Sequence, residues 1–481
     1  MMRAFLGNGS LSLFAPWLFL YSTPLTFAQG TGTTLTFGTV TTGQCYQRTA
    51  PGCVLPNLFG PTGLTLFNNP NFTHYAHFIG SAQTTLNQTL GTAIATQLTI
   101  LPIISPASGF TYKYDRDAGA FVRSTTTFGP IYTERAETIG RGNVYVGASY
   151  QRFRFKTLDG IDLKNVPAVF SHVPDTGPGG VVEPYEKDVI TSTNNIAFKM
   201  DQIMLFGTVG ITDRIDVSLA IPLVSTRMEA SSYDTIQRLS GPTTTLVPSG
   251  VTIPNPHEFN ASGALTDSFS ARGSAFGIGD IIIRAKGTLI QREAFRVALA
   301  MDVRVPSGDA RQLLGSGSTG IRPFLAISAG KRVSPHVNLG YQWNSRSILA
   351  GNLTGATVFE GANGQEAIQN GPATKGHVPS NIFYSVGTDI GVTNRLTLAF
   401  DYLGQTVFNA PRVYETTYPG TPFATIAGRK NTMPVNNGAA GLKFNIFGGL
   451  LLTADVLFRM DNNGLRQDVT PLVGLSRAFG K

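Results

Sequence analysis

The chain has 481 residues, of which 37 are Lys or Arg and 29 are Asp or Glu, so charged residues make up 14% and the formal net charge is +8. Soluble proteins carry about 25% charged residues, which excludes a soluble surface of ordinary density. Fifty-four glycines and 28 prolines argue against long helices, and 42% hydrophobic residues at a mean hydropathy of +0.05 are too many for disorder and too few for a bundle of spanning helices. What remains is a chain whose apolar residues are interleaved with polar ones, the composition of a strand protein and of a membrane barrel.

At the N-terminus, Arg3, the apolar stretch 11–20 and the small residues up to Ala28 read as a secretory signal peptide, residues 1–28. Pro16 and Pro24 interrupt the stretch before it could serve as a spanning anchor, and no later segment is long and apolar enough for a transmembrane helix. Export makes a disulfide between Cys45 and Cys53 the expected state of the two cysteines. Residues 29–140 lack the barrel pattern and form an N-terminal hatch within the barrel or an extension below it. In that region Phe78, Ala82, Leu86, Leu90, Ile94 and Leu98 recur every four residues without a charge, which predicts a helix stopped by Pro102. A hairpin of 110–114 with 120–123 follows. His74 and His77 have a spacing that metal sites use, but with no third ligand nearby in sequence no metal is expected.

From residue 141 the dominant signal has a period of two. In 295–305 the odd positions Phe295, Val297, Leu299, Met301, Val303 and Val305 are all apolar, while Arg296, Ala298, Ala300, Asp302 and Arg304 alternate with them. Twelve such strands are expected, near 143–156, 190–211, 215–227, 278–290, 294–305, 321–331, 335–346, 380–391, 395–408, 437–447, 450–460 and 469–479. Their connections alternate between short turns (212–214, 291–293, 332–334, 392–394, 448–449) and long segments (157–189, 228–277, 306–320, 347–379, 409–436), with 461–468 intermediate. A sandwich has no reason to keep that alternation. An antiparallel outer-membrane barrel does, with its short turns periplasmic. The last strand presents Val473, Leu475 and Phe479 on one face, interrupted by Arg477, and resembles the terminal strand signal read by the outer-membrane assembly machinery.

Gly277-Ile278-Gly279-Asp280, Val305-Pro306-Ser307-Gly308-Asp309 and Leu314-Gly315-Ser316-Gly317 are similar to the turn motifs of transporter-like outer-membrane proteins grouped as a phenol-degradation meta-pathway family. The resemblance covers roughly 275–481, extends less fully over 140–275, and implies an outer-membrane barrel linked to uptake of apolar or aromatic compounds.

Other chemistry finds little footing. The glycines of 315–320 fit a dinucleotide pattern but lead into a strand instead of a helix, no Gly-x-Ser-x-Gly elbow occurs, and no basic run points to nucleic acid. His336, with Ser334 and Asn338 nearby, leaves an outer-membrane hydrolase acting on lipid or envelope substrates as the alternative; a structural or surface-binding barrel is a third reading. The reading is an all-β barrel, residues 141–481, that acts as a passive channel without cofactor, partnered by outer-membrane lipid, the assembly machinery and small solutes. Arg284, Lys286, Arg296, Asp302, Arg304, Asp389, Asp401, Lys443, Asp455 and Arg459 fall on the inward face. Pairing 290 with 294 sets Lys286 across from Ala298, Arg284 across from Ala300 and Asp280 across from Arg304. Arg284 and Lys286 then either form a basic stripe that favours anionic or electron-rich aromatic solutes, or pair with Asp302 or the hatch.

Overall fold

The computed structural model describes residues 45, 50–68, 74–102, 104–105, 112–115, 120–123, 126–172, 184–239, 244–246, 252–292, 294–361 and 364–480. The expected signal peptide and parts of the expected hairpin fall outside them. Twelve antiparallel strands close into a barrel: β1 (Val144–Arg154), β2 (Val189–Gly210), β3 (Ile215–Gln237), β4 (Ile281–Gln291), β5 (Phe295–Val305), β6 (Gly320–Ala329), β7 (Val333–Asn344), β8 (Asn381–Gly391), β9 (Leu396–Thr417), β10 (Ala424–Phe447), β11 (Leu450–Arg459) and β12 (Val469–Phe479). Each pairs with its sequence neighbours, and β12 returns to β1 over Leu472↔Gln151 to Phe479↔Val144, so no edge is left to meet lipid.

Alternation decides which face each residue takes. On β3, Ile215, Val217, Leu219, Ile221 and Leu223 point outward, and Ser225, Arg227, Glu229 and Ser231 continue the same row in polar form. The apolar part of that row runs about 26 Å at ~3.3 Å per residue; a tilt near 40° lowers it to a height of roughly 20 Å, close to the ~25 Å apolar band of an outer-membrane barrel. Ile203, Leu205 and Val209 on β2, Leu325 and Ile327 on β6, Trp343 on β7 and Val473 and Leu475 on β12 are exposed in the same belt. Such a girdle is stable only against hydrocarbon, and the chain is a membrane-spanning barrel.

The turns at 211–214, 292–294, 330–332, 392–395 and 448–449 share one rim. At the other rim the strands overshoot. β2 and β3 have 22 and 23 residues, and β9 and β10 have 22 and 24, about twice the 9–11 that a tilted crossing needs. The stretch 409–436, read from sequence as a loop, is mostly this projecting β9–β10 hairpin, turned by 418–423. Thr266–Ile278 likewise pairs with the upper part of β3 from Thr235 to Leu223 and raises the wall above β4. Ladder hydrogen bonds hold strands beyond the membrane as well as within it, so loss of the apolar alternation does not end a strand.

Cys45 and Cys53 are disulfide-bonded, with Cα atoms 5.4 Å apart. The helical turns Ile79–Ala82, Gln83–Gly91, Thr92–Gln97 and Leu98–Ile100 follow one another without a break, and Phe78, Ala82, Leu86, Leu90 and Ile94 are buried along them. A repeat of four is longer than the ~3.6 residues of an α-helical turn. The wider π turns of Gln83–Gly91 absorb the difference and keep Leu86 and Leu90 on the stripe.

Outward and depth-dependent exposure of β3 and β5 yields a direct test. Leu299→Arg, in the belt, should cost about 2–4 kcal/mol and Ser225→Arg, above it, about 0–1, measured by reversible urea unfolding in lipid vesicles. Equal costs would place the belt wrongly.

Candidate functional site

The mouth at the short-turn rim is narrowed by a strap that crosses it, residues 126–142. Its amide at Thr126 donates to the Lys331 carbonyl in one turn, and Gly142 donates to Gly210 beside another. Every residue from 127 to 140 is buried, although the segment has no ladder of its own. A buried irregular backbone must find partners for its amides and carbonyls, and inward polar side chains of the barrel supply them. Thr397 accepts from the Phe128 amide, Asp401 from Tyr132, Asn338 from Glu134, Ser328 from Ala136 and Asp216 from Ile139. In the other direction Lys443 Nζ donates to the Pro130 carbonyl at 2.6 Å, Thr288 to Ala136 at 2.7 Å and Asn338 to Glu134 at 2.9 Å.

Glu134 is the centre of this site. One carboxylate oxygen accepts from Lys286 Nζ at 2.8 Å, and the other from Ser105 at 2.6 Å and from the Arg284 guanidinium. Arg284 holds Asp302 with two hydrogen bonds of 2.6 and 2.9 Å and lies 5.1 Å from the centre of the Phe324 ring. Lys286 also donates to the carbonyls of Glu137 at 2.7 Å and Arg135 at 3.2 Å. The strap's Arg135 reaches Asp389 at 2.9 Å, and its Glu137 receives Arg296 at 3.2 Å.

This geometry corrects the expected register. Arg284 lies across from Asp302 and Lys286 across from Ala300, with Arg304 opposite Ile282. At the turn Ile290 pairs with Val297 instead of residue 294, a displacement of three, and a bulge between Thr288 and Ile290 takes back one, so the rest of the pairing is displaced by two. Arg284 and Lys286 consequently form no open basic stripe; both are consumed by Asp302 and the strap. Arg304 contacts Asp280 at 3.7 Å and donates to Asn344 and the Thr99 carbonyl. Asp455 is buried beside Tyr132 of the strap. Arg459 stands apart at the wide end of β11, bonded to Asp468 and Thr157.

His336 bonds neither Ser334 nor Asn338. Its Nδ1 meets Ser328 Oγ at 2.9 Å and its Nε2 meets Asp389, while Ser334 donates to the Ala329 carbonyl. The trio sits directly beneath the strap, whose Ala136 amide donates to Ser328. The signal that could have revealed the strap is its charge sequence, Glu134-Arg135-Ala136-Glu137, which complements Arg284, Lys286, Arg296 and Asp389 on the strands.

Above the strap the lumen changes character. Leu86, Leu90 and Ile94 of the helix pack with Val224, Met228, Leu313 and Leu349 in one apolar cluster. The rings of Phe153, Phe155 and Phe198, inward on and beside β1 and β2, stack in a row with centroids 5.9 and 5.3 Å apart. Around Leu98–Pro102, where the two halves meet, cavities of about 40, 60 and 90 Å³ remain. Each is smaller than the ~150 Å³ apolar cavity that takes up benzene.

Residues 174–359 match the model of the family described as "Putative MetA-pathway of phenol degradation". The match begins before and ends before the stretch of resemblance read from the turn motifs. No curated protein matches the sequence. Among solved structures, an outer membrane channel from Pseudomonas putida F1 aligns with 72% of this chain and 98% of its own at 11% identity and a TM-score of 0.40. The Ralstonia pickettii toluene transporter TbuX aligns with 71% of this chain and 90% of its own at 9% identity and a TM-score of 0.30. A Pseudomonas aeruginosa FadL homologue aligns with 72% and 91% at 10% identity and a TM-score of 0.30.

Glu134→Ala would leave two buried cations without their shared carboxylate, a loss of about 3–5 kcal/mol for a buried pair. The strap should loosen, so that the variant conducts ions in a planar bilayer where the parent protein is closed, and its thermal unfolding should fall. A variant with unchanged conductance and stability would remove Glu134 from the centre of the seal.

Proposed function

We propose that the protein is a plugged channel of the outer membrane of a Gram-negative-type bacterium, for passive entry of small apolar and aromatic molecules. The observation that carries this reading is the apolar outer half of the lumen, with the Phe153–Phe155–Phe198 row on its wall. A pore for hydrated solutes has a polar, water-filled interior. Here the rings of that row, buried in the apolar cluster, would give an aromatic molecule a stacking surface away from water once the packing around them opens, and the polar part of the lumen is occupied by the strap. The match of 174–359 to a phenol-degradation family supports the same solute class.

Residues 29–140 act in this reading as the hatch. The stem 50–105 shapes the apolar chamber, and the strap closes the narrow mouth. Arg284 and Lys286 serve as anchors of the seal instead of as a selectivity stripe. The apolar belt supports outer-membrane lipid as the surrounding partner. The outward row of Val473, Leu475 and Phe479 on β12 supports recognition by the assembly machinery; Arg477 on that row lies 5.1 Å from the centre of the Phe479 ring. The hydrolase alternative would rest on Ser328, His336 and Asp389. Ser328 Oγ already accepts the Ala136 amide, and its place beneath the strap gives these residues an anchoring role instead.

Uptake into intact cells is the test. Expression of the protein in a strain lacking its major porins should speed entry of a radiolabelled monoaromatic such as phenol and leave glucose entry unchanged. Replacing Phe153, Phe155 and Phe198 together by alanine should reduce the phenol rate several-fold at equal surface expression. Equal acceleration of glucose and phenol would overturn the apolar channel.

A further inference from the structure

Four of the chain's six histidines, His74, His77, His172 and His257, meet at the wide end of the lumen. They come from three separate places: the stem leading into the helix, the β1–β2 connection just after Val166–Phe170, and the β3–β4 connection. All four are buried. One ring nitrogen from each of His74, His172 and His257 lies within 4.8 Å of the others, and their ring centres are 4.9 to 5.4 Å apart. His77 stacks on His74 at 3.9 Å, and Phe78 closes the floor, 4.9 Å from His172 and 5.4 Å from His257.

Two buried carboxylates orient the rings. Glu186 Oε2 lies 2.8 Å from His172 Nδ1, and its other oxygen lies 3.4 Å from His74 Nε2. Asp188 meets His257 Nδ1 at 3.1 Å and is itself fixed by the Asn255 amide at 2.7 Å and the Leu239 backbone at 3.0 Å. On His172 and His257 a carboxylate at Nδ1 places the proton there and makes Nε2 the lone-pair atom, the orientation in which metal-binding histidines are usually held, while on His74 the carboxylate faces Nε2 and leaves Nδ1 as the lone-pair atom.

We propose that His74, His172 and His257 form a three-histidine site for a divalent transition metal ion of the zinc class, with Glu186 and Asp188 as its oriented outer partners. Chemistry selects the ion. Imidazole donors suit zinc and its neighbours and not calcium or magnesium, which take oxygen ligands. The bond lengths of ~2.0–2.1 Å in such sites set ligand nitrogens about 3.3 Å apart; side-chain rotation supplies the contraction from the present spacing. Three protein ligands leave the fourth position to water, as three-histidine zinc sites do. Bound there, the ion staples the start of the helix to two outer connections and locks the wide mouth, whether or not the barrel conducts aromatic solutes.

The test uses the full-length protein in detergent, stripped with a chelator and titrated with Co²⁺ as a visible probe, then with Zn²⁺ in competition. The expected result is one equivalent of Co²⁺ with the strong visible bands of a low-coordinate nitrogen-rich site, displaced by Zn²⁺, and a higher melting temperature with Zn²⁺. His257→Ala should abolish the bands. Asp188→Asn should weaken binding about 10–100-fold, the usual cost of losing such an outer partner. His377→Ala, at an exposed histidine paired with Arg346, should bind as the parent does. Heat-modifiable gel migration reports whether each variant is folded. If stripped, folded parent protein takes up no Co²⁺ or Zn²⁺, or if folded His257→Ala and Asp188→Asn both bind as the parent does, the site does not exist; misfolding of the variants leaves the parent titration to decide.

Discussion

An irregular chain inside a barrel is tolerable only if every buried amide and carbonyl is answered, and that constraint organises this molecule. The strap brings fourteen consecutive buried residues into a space where no ladder can form. Many of the inward polar residues that look, strand by strand, like a water-lined lumen, among them Lys286, Asn338, Asp401 and Lys443, are partners of this one segment. Glu134 shows the logic at its sharpest, since Lys286, Arg284 and Ser105 all converge on it. Such a network adds little net stability over an apolar core of the same shape. Its strength is asymmetry: each member removed strands the rest, so the strap has one position and one register.

From that constraint follows the division of the lumen. The narrow half must be polar to hold the strap, and Ala298, Ala300 and Ala326 are small there because Ala136 packs on them. Among the described residues, the wide half has no irregular segment buried over so long a run. The helix meets its own hydrogen bonds, so its neighbours can be apolar, and Phe153, Phe155 and Phe198 are. One barrel thus carries a polar end crossed by the strap and an apolar end packed around the helix, and period two serves both because it fixes only the direction of a side chain and leaves its chemistry free.

The strands and their faces were legible in the sequence because alternation acts locally: Leu299 and Ala298 point opposite ways whatever surrounds them. Register was not, since alternation fixes the face of a residue and not its partner, and neither the pairing of Ile290 with Val297 nor the bulge after Gly287-Thr288 changes the apolar pattern. The extent of β9 and β10 was hidden because above the membrane the outward face becomes polar, and Arg412, Glu415 and Lys430 read as loop. The inward charges were found as individual residues, but their meaning lay in Glu134, Arg135 and Glu137, which are near 150 positions from Arg284. His74 and His77 failed as a site for the same reason. Their companions His172 and His257 arrive from connections that only barrel closure brings together.

The junction at Leu98–Pro102 is where the two halves must communicate. Pro102 ends the helix, and the carbonyls left without intrahelical partners are taken by the barrel wall: Arg304 donates to Thr99 at 2.9 Å and Gln405 to Ile100 at 2.9 Å. Arg304 is thus a positive charge at a helix C-terminus, where the helix dipole favours it, and it also contacts Asp280. Asp280 in turn accepts from the Ser316 and Gly308 amides and so holds the 306–319 connection at the wide mouth. Displacing the helix end would release Arg304, and with it the contacts that bind this outer connection to the wall. The same residues that stop the helix therefore couple the position of the apolar chamber's floor to the order of its rim.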